Sequence, residues 1–239
     1  MNENIFAYRR VIPPHLYTCW HTKLPPCMKE NYDWMVRHNP EMTFHLYDES
    51  SCRQFIQENF APCVVDAYDL IVPYSYKSDL WRYCILYIHG GIYLDIKYRC
   101  VPPFRLVELT EKEHFVRDIY DGCVYTALIV ARPQNEILLR CIYQIVHHVK
   151  TQFYGRHALD PTGPGLLGYW FTWEERKQLP LYHRLIFRDR VVRQIVGKDV
   201  MFEDYSQYTE DQKQVQKKYY ADLWKEQSIY FQNDPIPLG

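Results

Sequence analysis

The stretch KSDLWRYCILYIHGGIYLDIKYRC, Lys77 to Cys100, decides how the rest of the chain is read. A helical apolar pattern runs into Gly90 and Gly91 and stops there, as helices do when a glycine takes the left-handed conformation at the end. A strand pattern follows at once. With period 2, Ile92, Leu94 and Ile96 fall on one face, and Tyr93, Asp95 and Lys97 on the other. In the helix, Asp79 and Arg82 are three residues apart and share a face. Their simplest reading is a local surface ion pair, which contributes little. Charges on a strand whose other face is apolar, directly after a Gly-Gly turn, suit a binding site better than a plain core.

On either side of this block, strand and helix patterns alternate. His15–Trp20 has the look of a short buried strand. Met28, Tyr32, Met35 and Val36 line one face of a helix that ends before Pro40. Met42, Phe44 and Leu46 alternate as a strand. SSCRQFIQENF and CVVDAYDLI have helical patterns. Tyr125–Pro133 is a further apolar strand. Ile137, Cys141, Ile145 and Val149 lie in register on an amphipathic helix, with Asn135 as its cap. RLIFRDRVVRQIV resembles a hairpin turning near Asp189, and Asp211–Trp224 is polar and compatible with helix. This order predicts an α/β domain with a mixed, mostly parallel sheet and helices on both faces. The hairpin and tail would add to that sheet, residues 1–239 forming one domain with 198–239 as a helical tail or lid. In such sheets ligands bind outside the carboxyl ends of the strands. Trp20 and Asp95 stand at two such ends.

The bulk composition narrows the function. A chain of 239 residues fits one large domain, and at this size roughly 70–75% of the unfolded surface is buried, so no staples are needed. The net charge of −1, with acids and bases interspersed, gives no footprint for nucleic acid. The 22 tyrosines offer flat faces and hydroxyls suited to sugars and bases, or simply an aromatic core. The 8 cysteines are scattered without a Cys-x-x-Cys and sit in apolar patterns, as buried thiols of a reducing compartment do. MNENIFAYRR lacks the layout of a signal peptide, and no apolar run nears the ~20 residues of a membrane helix. A soluble, cytoplasmic protein is the expectation.

SDLWRYCILYIHGGIYLD resembles the sugar-binding, DXD-containing region of glycosyltransferase family 32 and, more distantly, the glucosylating bacterial toxins. IPPHLYTCWHTKLPP is similar to that family's first strand, NPEMTFHLYDE to its next segment, and TALIVARPQNEIL and DPTGPGLLG to its later strand and Thr-Gly-Pro turn. Together these pieces cover roughly residues 11 to 168, and the Ser-Asp-x-x-Arg…Gly-Gly-x-Tyr-x-Asp block is the specific part. The Asp-x-Lys variant also resembles a branch associated with large DNA viruses. The resemblance implies a GT-A fold and transfer, with retention, of a hexosyl or N-acetylhexosaminyl group. The donor would be a UDP- or GDP-linked sugar, and the acceptor a hydroxyl of a glycan, lipid or protein. By position, Asp79 and Arg82 would hold donor-sugar hydroxyls, Tyr93 and Asp95 would meet ribose and diphosphate, and Trp20 would stack on the base unless it is a core tryptophan. Trp224 and Asp222 would belong to a C-terminal lid, Asp222 joining Asp95 on a divalent Mn2+ or Mg2+ ion.

Two positions depart from the family pattern. Thr126 stands where an asparagine facing the site is expected. Lys97 replaces the second carboxylate of Asp-x-Asp, and a protonated ammonium repels a cation. Three readings of Lys97 are open: a metal on Asp95 with a distant partner, an ammonium replacing part of the metal's charge, or a degenerate site that only binds. The rivals to a transferase are a nucleotide-sugar hydrolase, with Asp79 and Asp95 as its carboxylate pair, and a catalytically silent sugar-nucleotide-binding module. His157, Asp160, His147 and His148 are expected in ordinary loop or surface roles, and the run DQKQVQKKYY as a solvated charged helix.

Overall fold

A computed structural model describes residues 11–188, 191–197, 200–214 and 218–231. The first three strands are β1 (His15–Cys19), β2 (Thr43–Tyr47) and β3 (Gly91–Leu94). Between them lie helices α1 (Pro26–His38), α2 (Glu49–Asn59), α3 (Pro62–Leu70) and α4 (Tyr74–His89). β4 (Tyr98–Cys100), β5 (His114–Arg117) and β6 (Val124–Ala131) follow, and then α5 (Glu136–Lys150), α6 (Pro164–Tyr169) and α7 (Trp173–Gln178). The chain continues through β7 (Leu181–Arg188), β8 (Val191–Val196), β9 (Met201–Asp204), α8 (Tyr208–Gln214) and α9 (Tyr220–Lys225).

The strands form one mixed sheet in the order β2-β1-β3-β6-β5-β7-β8-β9-β4. β1 pairs parallel with β2 and β3, and β5 with β7, while the other neighbours are antiparallel. The mixed α/β architecture is as expected, with a smaller parallel share. Parallel pairing needs long crossovers, and only the first half of the chain supplies helices for several of them. The hairpin of β7 and β8 adds to the sheet, its turn at Asp189 lying outside the described residues. Residues 198–239 are not purely helical: they contribute β9.

Two apolar layers sandwich the sheet. Ile92, Leu94, Leu128 and Val130 pack on one side with Met35 of α1, and Tyr93 and Ile129 on the other with Leu80, Trp81 and Ile85 of α4. Burying each such side chain contributes about 1.5–3 kcal/mol. Helix α1 is rotated from the expected face: Met28, Asn31 and Met35 are buried and Val36 is exposed. Leu46 is exposed too, because β2 is an edge strand. All eight cysteines are free thiols, Cys27 and Cys63 half-buried and the rest buried.

Gly90 and Gly91 both have positive φ, 63° and 110°. A Cβ on Gly91 would stand 2.7 Å from the His15 carbonyl oxygen, so only glycine lets α4 turn into β3 this close to β1.

The strand order bends the sheet. β3 and β4 are far apart in that order, yet only residues 95–97 join them, a link of at most about 14 Å even if extended. The sheet must therefore curl until its β9–β4 edge returns to the carboxyl end of β3. That curl sets Asp204, Tyr205 and Tyr208 beside the Asp95–Lys97 turn.

Candidate active site

The first half of the site is made by α4. Asp79 and Arg82 are both buried, and Asp79 Oδ1 lies 3.0 Å from Arg82 Nη1. This is no surface ion pair. Arg82 also donates to the Thr126 carbonyl oxygen at 2.9 Å and to Ser78 Oγ at 2.9 Å. Its guanidinium stands 4.3 Å over the Tyr93 ring, and its Nη2 is 3.7 Å from Asp95 Oδ1. Burial works against the Arg82 charge, but Tyr93, Asp79 and Asp95 more than offset it, and its pKa is raised. The Asp79 carboxyl is pushed up to about 6, by burial first and then by Asp95, with Arg82 and Thr162 pulling the other way. Thr162 Oγ1 donates to Asp79 Oδ2 at 2.7 Å, and a Cβ on Gly163 would come within 3.1 Å of the same oxygen. The Thr-Gly-Pro turn is thus fitted against the carboxylate. At Thr126, where an asparagine is the expectation, the backbone carbonyl serves Arg82 instead.

The second half is the turn after β3. The strand ends at Leu94, earlier than its period suggests, and Tyr98 N donates to the Asp95 carbonyl oxygen at 3.0 Å. Lys97 therefore does not continue the face of Asp95 along a strand; a tight turn keeps the two charges in reach of each other. Asp95 is partly exposed and accepts from Tyr93 Oη at 2.9 Å. Lys97 Nζ lies 3.5 Å from Tyr125 Oη, and 4.8 and 5.8 Å from the centres of the Tyr98 and Tyr208 rings. Burial opposes its charge, yet Tyr125, Asp204 and Asp95 raise its pKa and keep it an ammonium.

The turn is held from below by a residue the sequence reading passed over. Asn31 of α1 donates through Nδ2 to the Ile96 and Tyr98 carbonyl oxygens at 3.1 and 3.2 Å, and its Oδ1 accepts from Arg99 Nε at 3.1 Å. The available signal was a lone amide on the apolar Met28–Met35 stripe. Asn31→Ala leaves buried carbonyls unpaired, a cost of about 1–3 kcal/mol. Urea unfolding should show that loss, and ligand binding at the turn should weaken with it.

Beside the turn, an open cleft of about 630 Å³ lies between the segments that follow β1 and β2, lined by Trp20, Thr22, Lys23, Tyr47, Asp48 and Ser51 among others. Trp20 is half-buried and packs with Met28 and Ile96, and its Nε1 has no hydrogen-bond partner among the described residues. It is therefore part core and part cleft wall.

The tail residues are placed as follows. Trp224 Nε1 donates to the Tyr154 carbonyl oxygen at 2.6 Å, and Val72 N to the Ile229 carbonyl oxygen at 2.9 Å, so the tail is strapped across the entry to α4. Asp222 is exposed, with Oδ1 3.9 Å from Lys225 Nζ, and no described contact joins it to Asp95. Among the described residues, no group of three His, Cys, Asp or Glu side chains could hold a metal ion. Arg82 and Lys97 both bring positive charge near Asp95, which disfavours a divalent cation beside that carboxylate.

Asp160 is a loop staple: its Oδ2 accepts from Arg156 N at 2.8 Å, and its Oδ1 is 3.4 Å from His157 Nδ1. His147 is exposed, as expected. His148 is instead buried, bonded at 2.8 Å to the Pro161 carbonyl oxygen and stacked on Phe153. It ties α5 to the loop that supplies Thr162.

This arrangement, on a mixed sheet with the charged block at the carboxyl end of β3, defines a GT-A fold. A solved structure titled PaToxG Glycosyltransferase shares it, with a TM-score of 0.50 at 14% identity over 66% of this chain and 67% of that one. Residues 25–116 match the model of the family described as "Glycosyltransferase sugar-binding region containing DXD motif". The resemblance carried by the Ser-Asp-x-x-Arg block is thereby shown for that stretch. An uncharacterized glycosyltransferase of Acanthamoeba polyphaga mimivirus is 31% identical over 38% of this chain and 37% of its own length. Inositol phosphoceramide mannosyltransferase 2 of Schizosaccharomyces pombe is 25% identical over 83% of this chain and 56% of its own. The chain thus spans little more than half, or less, of these relatives. No helix among the described residues is long and apolar enough to cross a membrane.

Proposed function

We propose that this chain is a retaining glycosyltransferase that moves a hexosyl or N-acetylhexosaminyl group from a nucleoside diphosphate sugar to a hydroxyl of a glycan, lipid or protein acceptor. The observation that carries the reading is the chain of charges Asp79–Arg82–Asp95 beside the Trp20 cleft. Its two ends suit the two ends of one donor. Asp79, ionised above its pKa of about 6, accepts bonds from sugar hydroxyls through the acceptor capacity that Arg82 and Thr162 leave over. The Asp95–Lys97 turn takes the diphosphate, and the base enters the cleft against the Trp20 indole.

In the reaction the bond from the anomeric carbon to the phosphate oxygen breaks, the acceptor oxygen bonds that carbon on the same face, and its proton passes to the departing diphosphate. No protein nucleophile is needed. The residues position the donor and stabilise charge as it develops on the leaving group.

The deciding experiment is product analysis with UDP- and GDP-sugars over a broad acceptor panel. Transfer to an acceptor with release of the nucleoside diphosphate is expected. Water as the sole acceptor would make the protein a hydrolase. Donor binding without any diphosphate release would make it a binding module.

A further inference from the structure

We propose that the Lys97 ammonium, held among Tyr98, Tyr125 and Tyr208, takes the place of a divalent cation at the diphosphate end of the site. The proposal rests on the donor-site reading above and goes beyond it by assigning the charge that meets the phosphates.

Three observations carry it. The Asp95–Tyr98 turn, gripped by Asn31, fixes the backbone from which Lys97 projects. The curl of the sheet then lays β9 against β4 with Asp204 opposite Tyr98, and Tyr205 N donates to the Lys97 carbonyl oxygen at 3.1 Å. Finally, Tyr98, Tyr125 and Tyr208 surround the amine, and the Tyr98 and Tyr125 hydroxyls are bonded to each other at 2.8 Å. Aromatic faces attract a cation, and an ammonium binds phosphate as a compact point charge with three donors. A second cation in this space would meet Lys97 at short range, where like charges repel strongly. Asp95, the one motif carboxylate retained, and Asp204 of β9 here support the charge of the lysine.

The test is calorimetric titration of UDP and GDP into the intact chain and its Lys97 variants, in EDTA and in Mn2+, with Mn2+ binding alone followed by electron paramagnetic resonance. For the unaltered chain, affinity should differ less than about twofold between EDTA and Mn2+, and Mn2+ alone should not bind. Lys97→Ala should lose at least about tenfold in EDTA and recover in Mn2+, because Asp95 and Asp204 then become available to the ion. Lys97→Met, which keeps the packing of the stem among the tyrosines, should behave likewise, and Lys97→Arg should stay indifferent to metal. Nucleotide binding that strictly requires Mn2+ in the unaltered chain overturns this proposal and leaves the donor site standing. Unchanged affinity of Lys97→Ala and Lys97→Met in EDTA does the same. No binding of either nucleotide under any condition overturns the donor-site reading, and this proposal with it.

Discussion

Arg82→Met should lower the unfolding free energy by about 3–5 kcal/mol, the usual cost of removing one partner of a buried ion pair. The guanidinium serves Asp79, Ser78 and the Thr126 carbonyl oxygen at once and stands over the Tyr93 ring. Methionine fills much of the volume but satisfies none of these groups. Part of the loss is relieved because Asp79, no longer held down by Arg82, takes up a proton at neutral pH. A double-mutant cycle with Asp79→Asn separates the two contributions: the pair of substitutions should cost clearly less than the sum of the singles. Transfer should fall by about 10²–10³-fold in Arg82→Met, the range seen when one preorganised stabilising group is deleted. Equal stability of Arg82→Met and the unaltered chain in urea would mean the pair is not buried as described.

The second large effect is on pH dependence. Asp79 has a pKa of about 6, well above its ordinary 3.8, because burial outweighs Arg82 and Thr162. Its ionised form accepts the sugar hydroxyls, so donor affinity should fall about tenfold from pH 7 to pH 5 as the ionised fraction drops. Calorimetry with the sugar nucleotide reads this directly, and Asp79→Asn should bind weakly and with no such slope. Stability runs the other way. A carboxyl whose pKa is raised on folding favours the folded state most below about pH 4, and that contribution is lost as pH rises through about 6. Asparagine at 79 should remove this part of the pH dependence of the melting temperature.

Much of this was legible in the sequence. The 3.6 and 2.0 periods, the glycine pair and the proline stops placed β1 to β3 and α1 to α4, while the short strands β4 and β5 carry no such pattern and were not read. The pairing Asp79–Arg82 followed from helix spacing, but its burial and the approach of Arg82 to Asp95 did not. What could not be read were the long-range consequences of the curl. Asp204 and Tyr208 lie more than a hundred residues from Lys97, and nothing local ties them to it. The early end of β3 was hidden because Ile96 keeps the apolar period while its backbone has already turned, packing into a separate cluster with Met28 and Tyr205. His148 was assigned by polarity to the surface side of its helix, and Asn31 was not singled out at all. Both are buried because each satisfies backbone carbonyls that the adjoining loops leave open.

The central claim is that one donor spans Asp79, Arg82 and the Asp95–Lys97 turn. Its most direct test is a crystal structure of the chain with an intact nucleoside diphosphate sugar. The account predicts sugar hydroxyls within hydrogen-bond distance of Asp79 and Arg82, the diphosphate at Asp95 and Lys97, and the base in the cleft beside Trp20. A nucleotide bound elsewhere, with Asp79 and Arg82 contacting only groups of the protein, would contradict it.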